Sequence, residues 1–175
     1  DHAQLTAEPD GDLFNDLAKL IAIIGEPTAD SSILPTHWLS RATREHVKVA
    51  LSGDGGDELF GGYDRYRGMT MLQTHRWWLK HVPIALLANG NPRSHRTRLR
   101  RMVDAARCDT PASQYQSMIH LFSDAQIREL GFDGPSPRYA EVPDYPGDPR
   151  RWDFAHYLPM DLLRKVDRAS MAVAL

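Results

Sequence analysis

The 175-residue chain has a single cysteine, Cys108. One thiol cannot close an internal disulfide, so a disulfide-stapled secreted scaffold is excluded and a reducing compartment is expected. No family signature surrounds Cys108, and free cysteines are commonly buried; it reads as structural. No apolar run approaches the length of a bilayer span. The start at Asp1 has neither a charged leader nor an apolar segment behind it, so no signal peptide is expected. The eight histidines contain no His-x-x-x-His pair, which argues against a histidine-built zinc site. No Ser–His–Asp arrangement can be read out. No Gly-Lys-Ser/Thr completes a Walker A loop, and no alternating acids with a terminal Glu make an EF-hand. Internal repeats and low-complexity tracts are also missing. A net charge of −2 gives no general affinity for nucleic acid or membrane. The length and an apolar content of 42% suit one soluble domain with a sizeable core.

What the chain does have is concentrated between Val47 and Tyr63. Val47, Val49 and Leu51 are apolar and β-favouring at period two, which predicts a short buried strand over 47–51. A turn follows, Ser52-Gly53-Asp54-Gly55-Gly56-Asp57-Glu58. Its glycines permit backbone angles and close approaches that other residues resist. Asp57 and Glu58 then fall in the first turn of a helix, where carboxylates suit the dipole. In open α/β sheets, ligands sit beyond the carboxyl ends of the strands. Crowding Asp54, Asp57 and Glu58 is costly unless a cation or proton relieves the repulsion. Mg²⁺ favours one or two carboxylates with phosphate oxygens, and glycine N–H groups can donate to a phosphate. The local chemistry therefore suggests a Mg²⁺–polyphosphate or activated-acyl site. The competing interpretation is a capped helix start whose acids face water.

Two further segments narrow the choice. Glu26-Pro27-Thr28-Ala29-Asp30-Ser31-Ser32 precedes the turn, and Leu163-Arg164-Lys165-Val166-Asp167-Arg168-Ala169-Ser170-Met171-Ala172 lies near the end. In this order and spacing, the three segments resemble successive signatures of the glutamine-hydrolysing asparagine synthetases, in their C-terminal synthetase domain. The resemblance implies an α/β fold: a partial parallel-sheet domain of the adenine-nucleotide-hydrolase-like type, predominantly helical after residue 57. It implies a fragment of one synthetase domain over 1–175, with an α/β part over 1–63 and a mainly helical part over 64–175. The family's Ser-Gly-Gly-Leu/Ile-Asp-Ser-type nucleotide loop is not found here, nor is its glutaminase domain, and the isolated fragment is expected to be inactive.

For the whole protein, the resemblance implies a cytoplasmic ligase that adenylates aspartate with Mg²⁺-ATP and forms asparagine, AMP and pyrophosphate, using ammonia from glutamine. It leaves room for a homo-oligomer and implies neither a nucleic-acid nor a membrane partner. By resemblance, Asp54 acts as a base or positions aspartate. Asp57 serves Mg²⁺ and pyrophosphate. Ser52, Gly53, Gly55, Gly56 and Glu58 contact substrate or adenylate, with a helix cap as the lesser role for Glu58. Lys165 and Asp167 support the site or, alternatively, make ordinary ion pairs. A β-lactam synthetase-like enzyme, also carboxylate-adenylating, and a non-catalytic binding module are the alternative readings.

Elsewhere the pattern predicts a strand over 1–7, then a helix capped by Asp10 or Asp12 with Leu13, Leu17, Leu20, Ile21 and Ile24 on one face, stopped by Gly25 and Pro27. A second helix, capped within Asp30-Ser31-Ser32, holds Pro35 in its first turn and Trp38, Leu39 and Ala42 inward. Further helices are expected through Met69, Leu72 and Trp77, through Ile84, Leu86 and Leu87, and over 95–107, 111–121 and 124–130. Residues 131–149, rich in Gly and Pro, read as a loop, with helix resuming near Arg150. Trp38, Trp77 and Trp78 read as core. The basic cluster Arg93, His95, Arg96, Arg98, Arg100 and Arg101 reads as a solvated helix face, since no aromatic platform accompanies it.

Overall fold

A computed structural model of the chain describes residues 4, 6, 12–25, 28, 30–84, 87, 94–120, 122, 124–132 and 147–175. The described residues are mainly helical and divide into two compact units, 1–55 with 154–175 and 56–153. No strand occurs among the described residues. Residues 47–51 run without regular structure, with Val49 77% and Leu51 98% exposed. Alternating apolar residues become a strand only when a neighbour takes their N–H and C=O groups, and no such neighbour is present among the described residues. Of the strand expected over 1–7, only Gln4 and Thr6 are described.

In the first unit, α1 (Leu13–Ile24) starts where Asp12 Oδ1 accepts from the Asn15 N–H at 3.0 Å. It ends at Gly25, whose φ of 73° is the left-handed C-cap that glycine adopts without strain. Its buried face is narrower than the apolar pattern: Leu20 and Ile24 are buried, whereas Leu13 and Ile21 are 44% exposed. Pro27 lies outside the described residues. The second helix, α2 (Ile33–Arg44), keeps Pro35 in its first turn. Ile33 and Ser40 are its buried residues. Leu39 points outward, contrary to expectation, because the packed face of α2 runs through Ile33, His37 and Ser40 instead. Trp38 is half-buried and donates from Nε1 to Asp16 Oδ2 at 3.0 Å, tying α2 to α1. Leu20, Ile24, Ile33 and Ala169 form the core, with Leu34 and Ala172 against it.

The second unit contains α3 (Gly56–Phe60), α4 (Asp64–Leu79), α5 (His95–Ala106), α6 (Pro111–Ile119), α7 (Asp124–Glu129) and α8 (Pro149–Trp152). Thr110 opens α6 with a reciprocal capping box to Ser113, and Pro111 takes the first helical position, where no N–H is needed. Met69, Leu72, Leu79, Val103, Ala105, Ala106, Tyr115 and Trp152 fill the interior. Trp77 is 74% exposed and Trp78 lies partly exposed, so neither is core as expected. Tyr66, Met69, Leu72 and Leu79 are the buried residues of α4; in its last turns the packed face runs through Leu72 and Leu79, and Trp77 is turned away from these two. Arg76 donates to the carbonyls of Ala106 and Cys108, and Arg107 to those of Lys80 and Val82. Each guanidinium thus satisfies carbonyls at the other helix's C-terminal end. Cys108 is half-buried, and burial pushes its thiol up, away from nucleophile chemistry.

Asp153 closes this unit, fully buried. Its Oδ2 accepts from Arg65 Nε at 3.0 Å and Nη2 at 2.7 Å, from the Tyr66 hydroxyl at 2.7 Å and from the Tyr115 hydroxyl at 2.6 Å. Burial, followed by the Asp153 carboxylate, drives both tyrosines far above the ordinary tyrosine range, so both remain donors.

From Asp153 to Leu163 the helix is π-helical and contains Pro159; α9 (Arg164–Met171) continues it. A proline ring clashes with the carbonyl four residues back in an α-helix, and the wider π turn gives it room. The expected helix through Ile84, Leu86 and Leu87 and the loop over 131–149 fall largely outside the described residues; of these positions Ile84, Leu87, Gly131, Phe132, Gly147, Asp148 and Pro149 are described, and Pro149 already opens α8.

Candidate functional site

The acidic turn is built differently on either side of Gly55. In the first unit, the Ser52 hydroxyl donates to Asp54 Oδ2 at 2.6 Å, closing a small local ring. Both side chains and Gly53 are exposed. Gly55 is buried with φ of 90°, a conformation that L side chains rarely adopt, and a Cβ there would stand 3.6 Å from the Leu158 side chain. Glycine is thus required at this position by backbone geometry rather than by room for a ligand.

In the second unit, Gly56 opens α3, and Asp57 and Glu58 occupy its first turn, as the pattern predicts. The Asp57 carbonyl accepts from Gly61 and Gly62 at 2.8 and 3.1 Å, folding the chain back over it. A Cβ on Gly62 would collide with the Asp57 carboxylate, so this glycine is the cradle in which that carboxylate lies. Asp57 remains exposed. Glu58 turns the other way: it is 3% exposed, and its Oε1 accepts from the Tyr63 hydroxyl at 2.8 Å. This bond to Tyr63 is a contact beyond the two roles, substrate contact and helix cap, read from sequence for Glu58.

Asp57 and Glu58 diverge, and among the described residues no three His, Cys, Asp or Glu side chains gather as a metal cage. Mg²⁺ does not need one: it takes one or two carboxylates and completes its octahedron with water and phosphate oxygens. A solvent-facing Asp57 resting on a glycine fits that donor set.

Lys165 belongs to the first unit. Its Nζ donates to Ser32 Oγ at 2.9 Å and pairs with Asp30 Oδ2 at 3.0 Å. Asp30 Oδ1 accepts from the Ser32 N–H at 2.8 Å and hydroxyl at 2.7 Å. The first and third signature segments therefore meet through one polar knot. Burial works against the Asp30 carboxylate, but the Ser32 hydrogen bonds and the Lys165 charge outweigh it and hold Asp30 below the usual range. Asp161, also near this knot, is pushed up by burial and then by Asp30. Asp167 is exposed, and its carbonyl accepts from the Ser170 hydroxyl at 3.3 Å. Sequence reasoning missed Asp30 and Ser32 as partners of Lys165; the available signal was an acid in one signature and a base in another.

The basic residues of α5 include Arg100, paired with Asp104 at 3.8 Å one turn along; Arg93 lies outside the described residues. No described helix is long and apolar enough to cross a membrane.

A family profile described as asparagine synthase matches residues 1–175, the whole chain. The chain belongs to the asparagine synthase family. A "Putative asparagine synthetase [glutamine-hydrolyzing]" of Mycobacterium bovis is 32% identical over 172 residues, 91% of this chain and 26% of the relative. An "Asparagine synthetase [glutamine-hydrolyzing] 1" of Bacillus subtilis is 44% identical over 54 residues, 31% of this chain and 8% of the relative. A "Putative asparagine synthetase [glutamine-hydrolyzing] 2" of Methanocaldococcus jannaschii is 50% identical over 70 residues, 39% of this chain and 13% of the relative. The chain thus spans 26% of the length of the mycobacterial family member that it matches over nearly its own full length. No solved structure matches it.

Proposed function

We propose that this chain is part of an asparagine synthetase, a fragment of the synthetase domain that activates aspartate with ATP. The observation that carries the reading is the solvent-facing Asp57 on its Gly62 cradle, directly after a glycine turn, in a chain that belongs to the asparagine synthase family from end to end. In the whole domain, residues 47–51 would pair into the parallel sheet of a nucleotide-hydrolase-like fold, and the turn would stand at its carboxyl edge.

The chemistry follows from the substrate. A carboxylate is a poor electrophile. An aspartate side-chain oxygen attacks the α-phosphorus of ATP, and pyrophosphate leaves with the bonding pair. Ammonia then attacks the activated carbonyl, a C–N bond forms, the bond to AMP breaks and one proton is shed. Asp54, exposed and bonded to Ser52, is the group assigned to receive that proton or to orient aspartate. Ser52, Gly53, Gly55 and Gly56 would line the path of the adenylate, offering backbone N–H donors. Bound Mg²⁺ supplies charge neutralisation on the pyrophosphate, and Asp57 is the residue that would hold it. Lys165 and Asp167 are assigned supporting roles; Lys165 joins α9 to the start of α2. Glutamine would supply the ammonia through a glutaminase domain, and the cytoplasm is the proposed setting.

The test is aspartate-dependent pyrophosphate release by the protein that carries this chain. Release that requires aspartate and is lost in Asp57→Ala supports the proposal. Release with another carboxylate but none with aspartate makes the protein a β-lactam synthetase-like enzyme instead. No release with any carboxylate leaves a binding module. Gly62→Ala, whose Cβ would push the Asp57 carboxylate aside, is expected to lose activity like Asp57→Ala. Gly68→Ala meets only the mobile end of Met118 and is expected to keep it.

A further inference from the structure

Glu58 is buried and has a partner chain of its own. The Tyr63 hydroxyl holds it at 2.8 Å, and the Arg65 guanidinium lies over the Tyr63 ring, 3.9 Å from its centroid. Arg65 in turn is anchored twice on the fully buried Asp153, whose Oδ1 has no hydrogen-bond partner among the described residues. A cation over an aromatic face is attracted to it, more strongly when shielded from water. Four side chains of the second unit thus form a continuous relay: Asp153, Arg65, Tyr63, Glu58. Its far end grips the residue next to Asp57. None of the four is required there for packing alone: an apolar set could fill the space without burying two carboxylates and a guanidinium, which is expensive unless each is matched.

We infer that Asp153, acting through Arg65, Tyr63 and Glu58, is a positioning residue that fixes α3 and thereby the direction of the Asp57 carboxylate. The inference rests on the proposed role of Asp57 for its kinetic consequence, and on geometry alone for its structural one. Asp153 touches no substrate. It fixes Arg65; Arg65 fixes the ring plane of Tyr63; Tyr63 holds Glu58 inward, so that Asp57 is left facing outward on the same short helix. Gly62 leaves room for the Asp57 carboxylate but does not anchor the five-residue helix that carries it; the Glu58 contact does.

Two readouts test this in the protein that carries the chain. The first is amide hydrogen exchange across residues 56–60 in Tyr63→Phe and Asp153→Asn. Tyr63→Phe removes one hydroxyl and keeps the ring under Arg65; Asp153→Asn keeps an acceptor for the tyrosines and removes the negative charge that faces Arg65. Both are expected to speed exchange across 56–60 by roughly tenfold, the equivalent of one lost hydrogen bond to a charged group. Unchanged exchange in either variant overturns the inference, whatever the activity. The second is the Mg²⁺ concentration for half-maximal pyrophosphate release. It is expected to rise about threefold to tenfold in Tyr63→Phe with the KM for aspartate unmoved, and the double variant Tyr63→Phe/Glu58→Gln should be no worse than the worse single. A loss of kcat with the Mg²⁺ dependence intact would overturn the positioning role even if exchange changed. Activity lost in Asp57→Ala but untouched in Tyr63→Phe separates failure of this inference from failure of the proposed function, which would instead show as an active Asp57→Ala.

Discussion

Two carboxylates, Asp30 with one hydroxyl and Asp153 with two, each gather a cation, yet the settings differ in kind. Asp30 in the first unit is 26% exposed at its side chain, and its Lys165 partner 14%. Asp153 in the second is sealed from water and concentrates four donor contacts on a single oxygen. Water can replace any partner that Asp30 loses. It cannot reach Asp153. A wet ion pair adjusts a structure, whereas a dry one commits the surrounding side chains to a single arrangement, since removal of either partner strands the other.

The comparison is broken most forcefully by Asp153→Ala. It removes the buried acceptor that Arg65, Tyr66 and Tyr115 share, and the second unit is expected to lose about 3–5 kcal/mol, measured as hydrogen-exchange protection in α4 and α6. Tyr115→Phe deletes one fully buried donor and is expected to cost about 1–3 kcal/mol by the same measurement.

The tyrosines also predict a pH limb. Their folded pKa values are raised above the ordinary value of 10.0. Above that value the unfolded chain sheds protons that the folded one keeps, so the unfolded state binds fewer protons and stability falls as pH rises. Protection of the second unit should therefore be level below about pH 10 and decline beyond it, and Tyr115→Phe should shallow that decline. A wild-type curve that is flat to high pH would mean that the two tyrosines titrate alike in the folded and unfolded chain.

Lys165→Met sharpens the other side. A partly exposed pair contributes about 0–1 kcal/mol, so protection of α2 and α9 should change little. Smaller still is the acid response of Asp30. Its folded pKa is lowered, so its contribution is present above the ordinary aspartate value and lost as pH falls through the folded one. Asp161, raised, acts in the opposite direction and blunts the limb. Titration of the first unit with and without Asp30→Asn should expose a small difference at low pH only.

Features whose physics is local were legible in the sequence. Asp12 and Gly25 bracket α1, Thr110 and Pro111 open α6, and the Gly56–Glu58 run begins a helix where the acids predicted it. Features that depend on a distant neighbour were not. Residues 47–51 have strand chemistry, but pairing is a property of two segments, and alternation in one cannot supply the other. Leu39 and Trp77 have core chemistry, yet a helix with apolar residues on two sides does not reveal which side will meet a partner. The Lys165–Ser32 contact joins residues 133 apart, and no periodicity carries over that separation. Within the candidate site, Asp57 was legible as an exposed acid at a helix start. The inward turn of Glu58 was not, because it is set by Tyr63, whose aromatic ring gives no sign in sequence of where its hydroxyl will point.

The π-helical stretch makes one segment of the first unit a ruler. Leu158 stands against Gly55 and Lys165 against Asp30, and both contacts are measured off along the same helix. A wide turn stows more residues in a given length than an α-turn does. Remove one residue between Leu158 and Lys165 and the helix can tighten, but the two side chains then no longer share the angle and rise that serve both appointments. Composition between these points should therefore be freer to vary than length.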